Sequence, residues 1–232
     1  MSPKKFYDLL LKDFGHQHWW PVDIQYHRRQ GSDPRFEIMV GAILTQNTAW
    51  SNVEKALDNL KQKNVLSLHE IVTLTNTELK KMIQPSGFFN QKTVRLQHIV
   101  HYLKENYNNN LDNFFQRGFP EIRQELLSLP GIGPETADSM LLYAGGHPVF
   151  VVDAYTKRIC SRLPFFVPND TYEAIQKFFE QNLQKTYKEK KLVLMYQEFH
   201  ALIVELAKNY CKKKNPLCPT CPLKNYCDSI LP

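Results

Sequence analysis

Apolar residues recur along most of this chain at intervals of three and four, the spacing that lays a single stripe along an α-helix. Phe6, Leu9, Leu10 and Phe14 mark a first helix, expected to pack with the C-terminal part of the chain. Ser32-Asp33-Pro34 supplies a cap and a first-turn proline to another, whose buried face is Phe36, Met39, Val40, Ile43 and Leu44. It runs out at the polar patch Thr45-Gln46-Asn47-Thr48, with Thr48 placed to cap a helix over 49–62. Thr75-Asn76-Thr77-Glu78 has capping-box spacing and opens a short helix that stops at Pro85-Ser86-Gly87. Asn90 suits the cap of a long helix carrying Val94, Leu96, Ile99, Val100 and Leu103. Two short helices, near 111–116 and 121–127, lead to Leu129-Pro130-Gly131-Ile132-Gly133-Pro134-Glu135-Thr136-Ala137. There two glycines permit a tight hairpin, and Pro134 starts a helix with stripe Ala137, Met140, Leu141 and Ala144. After the apolar run at 149–152, Asp153 precedes a helix reaching about Arg162. Ile175, Phe178, Phe179 and Leu183 form the next stripe, and Leu192, Met195, Tyr196, Phe199, Ile203 and Leu206 the last. No strand-like alternation, repeat or low-complexity stretch competes, so the expected fold class is all-α.

Composition narrows the class further. A chain of 232 residues, 43% hydrophobic and 22% charged, can bury a core as one body or two lobes, which excludes a disordered tail. No apolar stretch reaches the roughly 18 residues of a membrane span, and Met1-Ser2-Pro3-Lys4-Lys5 does not open a signal peptide. The expectation is a cytoplasmic protein with no membrane partner. A formal net charge of +6 favours a polyanionic partner.

Several stretches can carry chemistry, and each also has a plainer reading. The Gly131–Gly133 hairpin is either a structural turn or an anion site of phosphate size at a helix start. Asp153 is an N-cap, a pocket-edge carboxylate, or both. Trp19-Trp20-Pro21 either packs under the first helix or forms an aromatic wall for a stacked base. His200 reads as a core or boundary histidine, and Cys160 as a small core residue. Cys211, Cys218, Cys221 and Cys227 lie in 17 residues with three prolines, which suits a metal site better than disulfides. Four thiolates on uneven loops favour a cubane iron–sulfur cluster over zinc, whose sites more often show two close pairs. Lys212, Lys213 and Lys214 are a solvated surface or a phosphate-binding patch held rigid by that site.

Taken together, the hairpin, the Val152-Asp153 pair and the cysteine loop resemble the endonuclease III superfamily of helix-hairpin-helix DNA glycosylases, over nearly the whole chain. The resemblance implies a two-lobed all-α fold with a C-terminal [4Fe-4S] loop held by Cys211, Cys218, Cys221 and Cys227. One six-helix lobe spans 30–137; residues 1–29 and 138–232 form the cluster lobe. It implies a monomer, associated with the nucleoid, whose partner is double-stranded DNA containing damaged bases. Gln46 matches the glutamine that fills the space of an extruded base, with Asn47 in the same loop. Gly87-Phe88-Phe89-Asn90-Gln91-Lys92 matches the loop across the duplex, Phe88 as a wedge and Asn90 and Lys92 on phosphates. Gly131 and Gly133 supply the backbone grip, with a monovalent cation as a further candidate ligand of the hairpin.

Within the superfamily, Asp153 matches the aspartate that stabilises the oxocarbenium-like sugar and orients a water. Bifunctional members place a Schiff-base lysine where this chain has Glu135, which cannot form that adduct. Glu135 is then a helix-start acid or a pocket residue that positions water or base. Gly-x-Gly-x-Glu-Thr-Ala-Asp, Trp-Trp-Pro and Pro-Ser-Gly-Phe-Phe-Asn-Gln-Lys look like the 3-methyladenine DNA glycosylase branch. Some members of that branch lack the cluster cysteines and carry a pocket lysine in the late helix; here the cysteines are present and the matching stretch, Phe199 to Ile203, has no lysine. The expected activity is monofunctional hydrolysis of the N-glycosidic bond of alkylated purines, with Trp19, Trp20 and Ile43 as pocket residues. The alternatives are a glycosylase/lyase for oxidised pyrimidines using another lysine such as Lys157, or a non-catalytic DNA-binding relative.

Overall fold

The computed structural model describes residues 1–163 and 171–227, and among these the chain is helical throughout, with no strand. It divides into two compact units: an outer one of Met1–Trp20 with Gly146–Pro232, and a middle one, Pro21–Gly145. The middle unit is therefore wider at both ends than the expected 30–137, for reasons that lie in its packing.

Helix α1 (Pro3–Phe14) opens the outer unit, capped by Ser2 and stopped by Gly15. The middle unit then runs through α2 (Ile24–Gln30), α3 (Pro34–Leu44), α4 (Trp50–Gln62), α5 (Leu68–Ile71), α6 (Asn76–Ile83), α7 (Phe89–Tyr107), α8 (Leu111–Phe115), α9 (Phe119–Ser128) and α10 (Pro134–Ser139). Its centre is α3, in which every residue from Phe36 to Leu44 is buried. A helix apolar on all sides belongs inside a bundle. It packs against α4, α7 and the π-helical turn Met140–Ala144 that continues α10, so the stretch just past residue 137 belongs to this unit. Glu37 is buried in that same helix and is held by polar partners. Its Oε2 accepts from Asp23 N at 3.0 Å and lies 2.9 Å from His27 Nε2; its Oε1 is 3.5 Å from Lys61 Nζ. Asp23 and His27 belong to the start of the unit, which is why α2 falls within it rather than outside.

Local signals place most helix ends. The Thr75 capping box forms in both halves, Thr75 N donating to Glu78 Oε2 at 2.9 Å and Glu78 N donating to Thr75 Oγ1 at 3.3 Å. Two expected caps are corrected. Thr48 does not cap α4: Ala49 sits at that position without a side-chain bond, and Thr48 Oγ1 accepts from Asn52 Nδ2 instead. Asn90 lies inside α7, whose cap position is Phe88 in a left-handed conformation. Val94 is 45% exposed and leaves the stripe that Leu96, Ile99, Val100 and Leu103 share.

The outer unit continues with α11 (Ala154–Cys160), α12 (Tyr172–Leu183) and α13 (Glu189–Asn209), with α1 packed on α12 and α13. Four buried phenylalanines centre it. Phe6 meets Phe199 edge-on at 5.1 Å, Phe150 stacks on Phe179 at 4.4 Å, and Phe179 meets Phe199 at 5.6 Å. Each such side chain contributes roughly 1.5–3 kcal/mol by burial. Cys160, 1% exposed, is a core residue as expected.

Candidate DNA interface and catalytic carboxylate

In the middle unit three segments present chemistry: the hairpin between α9 and α10, the loop after α3, and the loop before α7. Gly131 turns the hairpin with φ +85°, where a side chain would be strained, and Ile132 N closes it on Leu129 O at 3.1 Å. Gly131, Gly133 and Glu135 are exposed. Glu135 sits in the first turn of α10, a position that favours an acid whatever else it does. Across the hairpin, Arg123 on α9 grips Asp138 on α10 with two bonds, Nε to Oδ1 at 2.7 Å and a terminal nitrogen to Oδ2 at 3.1 Å. Asp138 is 0% exposed, so this pair sets the angle between the two helices. Reading the sequence missed it, because no fixed spacing announces a charge pair across a turn.

Gln46 and Asn47 follow α3, Asn47 exposed with φ +55°. The Gln46 amide donates from Nε2 to Gly131 O at 3.1 Å and to Thr136 Oγ1 at 2.8 Å, while its Oε1 accepts from an Arg95 terminal nitrogen. In the third segment Phe88 is 60% exposed with φ +46°, an aromatic ring held outward by an unfavourable backbone, and Asn90 is exposed beside it.

Two expected site residues are corrected here. Lys92 is 0% exposed and points inward, donating to Leu44 O at 2.7 Å and Ser86 O at 2.6 Å, so it does not reach a phosphate. Burial, with Arg95 adding to it, pushes its ammonium down to about 8. Ile43 is also 0% exposed, a core residue of α3 rather than a pocket wall. Its place in the apolar stripe had already pointed to the core.

In the outer unit Asp153 caps α11: Oδ1 accepts from Thr156 N at 2.6 Å and Thr156 Oγ1 at 2.8 Å. Its Oδ2 lies 3.5 Å from His200 Nε2 on α13. Burial alone would raise this carboxyl, but His200 and the two Thr156 donors outweigh it and hold Asp153 below the ordinary carboxylate value. The His200 ring also meets Trp19 edge-on at 6.2 Å. Trp19 lines a groove of about 620 Å³ with Tyr7, His18, Leu194 and Glu198, and Trp20 is half-buried beside it.

The far end of α11 meets the cysteine loop. Arg158 Nε donates to Cys211 O at 2.8 Å, and Arg162 donates to Cys211 Sγ at 3.2 Å and to Lys212 O at 2.9 Å. Burial raises the Cys221 thiol, and Cys211, Cys227 and Cys218 lie near enough to raise it further. Among the described residues no three His, Cys, Asp or Glu side chains converge closely enough for a single metal ion. Lys212, Lys213 and Lys214 are all exposed.

Residues 40–185 match the model of the HhH-GPD superfamily of base excision DNA repair proteins. The chain belongs to that superfamily. It is an HhH-GPD DNA glycosylase, an enzyme acting on DNA. The MJ1434 protein of Methanocaldococcus jannaschii, provisionally named a DNA repair glycosylase, is 44% identical over 96% of this chain and 94% of its own. Endonuclease III of Thermotoga maritima is 30% identical over 85% of this chain and 84% of its own. Among solved structures, the 3-methyladenine DNA glycosylase of H. pylori bound to 1,N6-ethenoadenine matches at 27% identity and TM-score 0.69, over 90% of this chain and 98% of that one. A non-covalent endonuclease III–DNA complex shares the HhH-GPD fold at TM-score 0.76 and 24% identity, over 98% and 96%.

Proposed function

We propose that this HhH-GPD glycosylase is monofunctional and hydrolyses the N-glycosidic bond of alkylated purines such as 3-methyladenine in double-stranded DNA. The observation that carries the reading is Glu135 in the first turn of α10, a carboxylate where strand-cleaving relatives need an amine. The likeness to the H. pylori 3-methyladenine enzyme supports the substrate class.

A base inside a duplex cannot reach a catalytic group, so the nucleotide is extruded, with Gln46 and Phe88 entering the gap and the Gly131–Gly133 backbone holding the phosphates. Asp153 then works as an anion. Thr156 fixes one oxygen and His200 faces the other, and the charge held in this way stabilises the positive charge of the reacting sugar and orients the attacking water. A ring-alkylated purine carries positive charge, leaves readily, and is selected by stacking and cation–π attraction to Trp19 and Trp20, worth roughly 0.5–2 kcal/mol. Lys212, Lys213 and Lys214 add salt-dependent affinity for the backbone.

The donor set fits an iron–sulfur cluster. A four-iron cube spreads its thiolates further apart than one ion does, and the guanidinium donor on the Cys211 sulfur and the Leu223 amide at Cys221 suit thiolate ligands. Cys211, Cys218, Cys221 and Cys227 would hold it, and when bound it supplies a rigid structural cross-link and a redox-active centre. Replacing Cys221 should lower stability and DNA affinity together.

The test is a panel of lesion-bearing duplexes scored separately for free base and for strand scission. Free 3-methyladenine without scission is expected, abolished by Asp153→Asn and kept by Cys160→Ala. Asn retains the cap to Thr156 while removing the charge, so the fold should survive that change. A borohydride-trapped adduct on abasic DNA, lost in Lys157→Ala, would instead assign a lyase.

A further inference from the structure

We propose that Arg95 is a positioning residue that presets Gln46 on the hairpin before DNA arrives. The inference rests on the reading above that Gln46 enters the gap left by the extruded nucleotide. Both donors of the Gln46 amide are spent on the hairpin, at Gly131 O and Thr136 Oγ1, and its acceptor is met by Arg95. A guanidinium has donors only, so it accepts just one orientation of the amide, with oxygen toward α7 and nitrogen toward the hairpin. Without Arg95 only the Gly131 carbonyl opposes a flip of the amide, because the Thr136 hydroxyl can donate as well as accept.

Gly131 leaves the room that Arg95 occupies. A Cβ on Gly131 would come within 2.4 Å of Arg95 Nε and 2.6 Å of its Cγ, so the arginine stem lies directly against the hairpin backbone. One turn earlier on the same helix, Lys92 holds the carbonyls of Leu44, at the end of α3, and Ser86, just before the Phe88 loop. The first turns of α7 thus tie together all three DNA-facing segments, Lys92 through main chain and Arg95 through the Gln46 side chain. Ordering the glutamine in advance removes from the extrusion step the rotamer entropy that it would otherwise cost.

The test uses the full-length protein and a duplex with 2-aminopurine beside an abasic-site analogue, where fluorescence reports unstacking. Arg95→Met should lower the extrusion equilibrium about tenfold, leaving affinity for undamaged duplex and its salt dependence unchanged. Gln46→Ala should lower it at least as much, and the double variant should be no worse than Gln46→Ala alone. Arg95→Lys should restore part of the loss. Should Arg95→Met melt early, Arg95→Gln, which keeps a donor, should show the same non-multiplying pattern with Gln46→Ala. Penalties that multiply in the double variant would show Arg95 acting independently of Gln46 and overturn the proposal. A salt slope reduced by about one would make Arg95 a phosphate contact and overturn it too. Normal extrusion by Gln46→Ala itself would remove the wedge reading, and this inference with it.

Discussion

Asp153 and His200 face each other at 3.5 Å within the outer unit, their side chains only 10% and 6% exposed. Neither residue is placed by the other's sequence neighbourhood: one caps α11, the other lies well along α13. The histidine helps to keep a buried carboxylate charged, which is the form the proposed chemistry uses. Because the folded value of Asp153 lies below its unfolded one, its ionisation stabilises the protein above the unfolded value. That contribution is lost as pH falls through the folded value. In His200→Leu burial is offset by the Thr156 donors alone, so the acid limb of single-turnover base release should move to higher pH. The rate at neutral pH should fall about ten- to a hundredfold. An unchanged acid limb would detach His200 from the reaction.

How far the sequence could be read depended on the range of each interaction. Capping at Thr75, the first-turn prolines at Pro34 and Pro134, and the stripe of α3 are decided within a few residues, and the helices they mark are present. Lys92 was misplaced for the same reason that Ile43 was: a motif says which residues stand near a functional loop, while burial depends on what packs above them. Lys92 points at the end of α3, 48 residues away in sequence. Arg95 and Arg123 were invisible, being charged residues on amphipathic helices whose partners come from other segments. Phe88 is picked out as a wedge by its motif alone, and the structure adds that its ring is 60% exposed.

The buried ammonium of Lys92 has a measurable consequence. Its folded value, about 8, lies below the ordinary 10.5, so between these two the unfolded chain binds more protons than the native one. Stability from this residue therefore rises with pH across that window, and the burial cost is present in full below it. Relative to Lys92→Met, the wild type should gain up to about 3 kcal/mol from pH 8 to 10.5, read as the difference of two denaturant titrations. A flat difference would mean that the amine is solvated in solution.

Arg123 and Asp138 should behave as a buried pair, with the carboxylate 0% and the guanidinium 23% exposed. Arg123→Met strands a charge inside the middle unit and should cost about 3 kcal/mol in urea unfolding. Converting Asp138 to Asn in that background removes the stranded charge and should recover part of the loss. Because the pair brackets the hairpin, DNA affinity should fall with stability in Arg123→Met and return with it in the double variant. A single variant as stable as wild type would show the pair to be solvent-screened.

The two hairpin glycines separate folding from binding. A Cβ at Gly131 would be strained by its φ of +85° and would strike Arg95, so Gly131→Ala should lose at least about 2 kcal/mol of stability as well as DNA affinity. Gly133 is different: its φ of −93° is open to any residue, and an added Cβ meets nothing within 4 Å. Gly133→Ala should therefore fold as well as wild type, or up to about 1 kcal/mol better through its stiffer unfolded chain. On the proposed backbone grip its duplex affinity should nevertheless fall roughly tenfold, because the methyl group would crowd a phosphate approaching the amides at the start of α10. Equal affinity of Gly133→Ala and wild type, measured by anisotropy at fixed salt, would mean that the backbone of this turn does not touch DNA. The grip would then have to come from the lysines and the wedge loops alone.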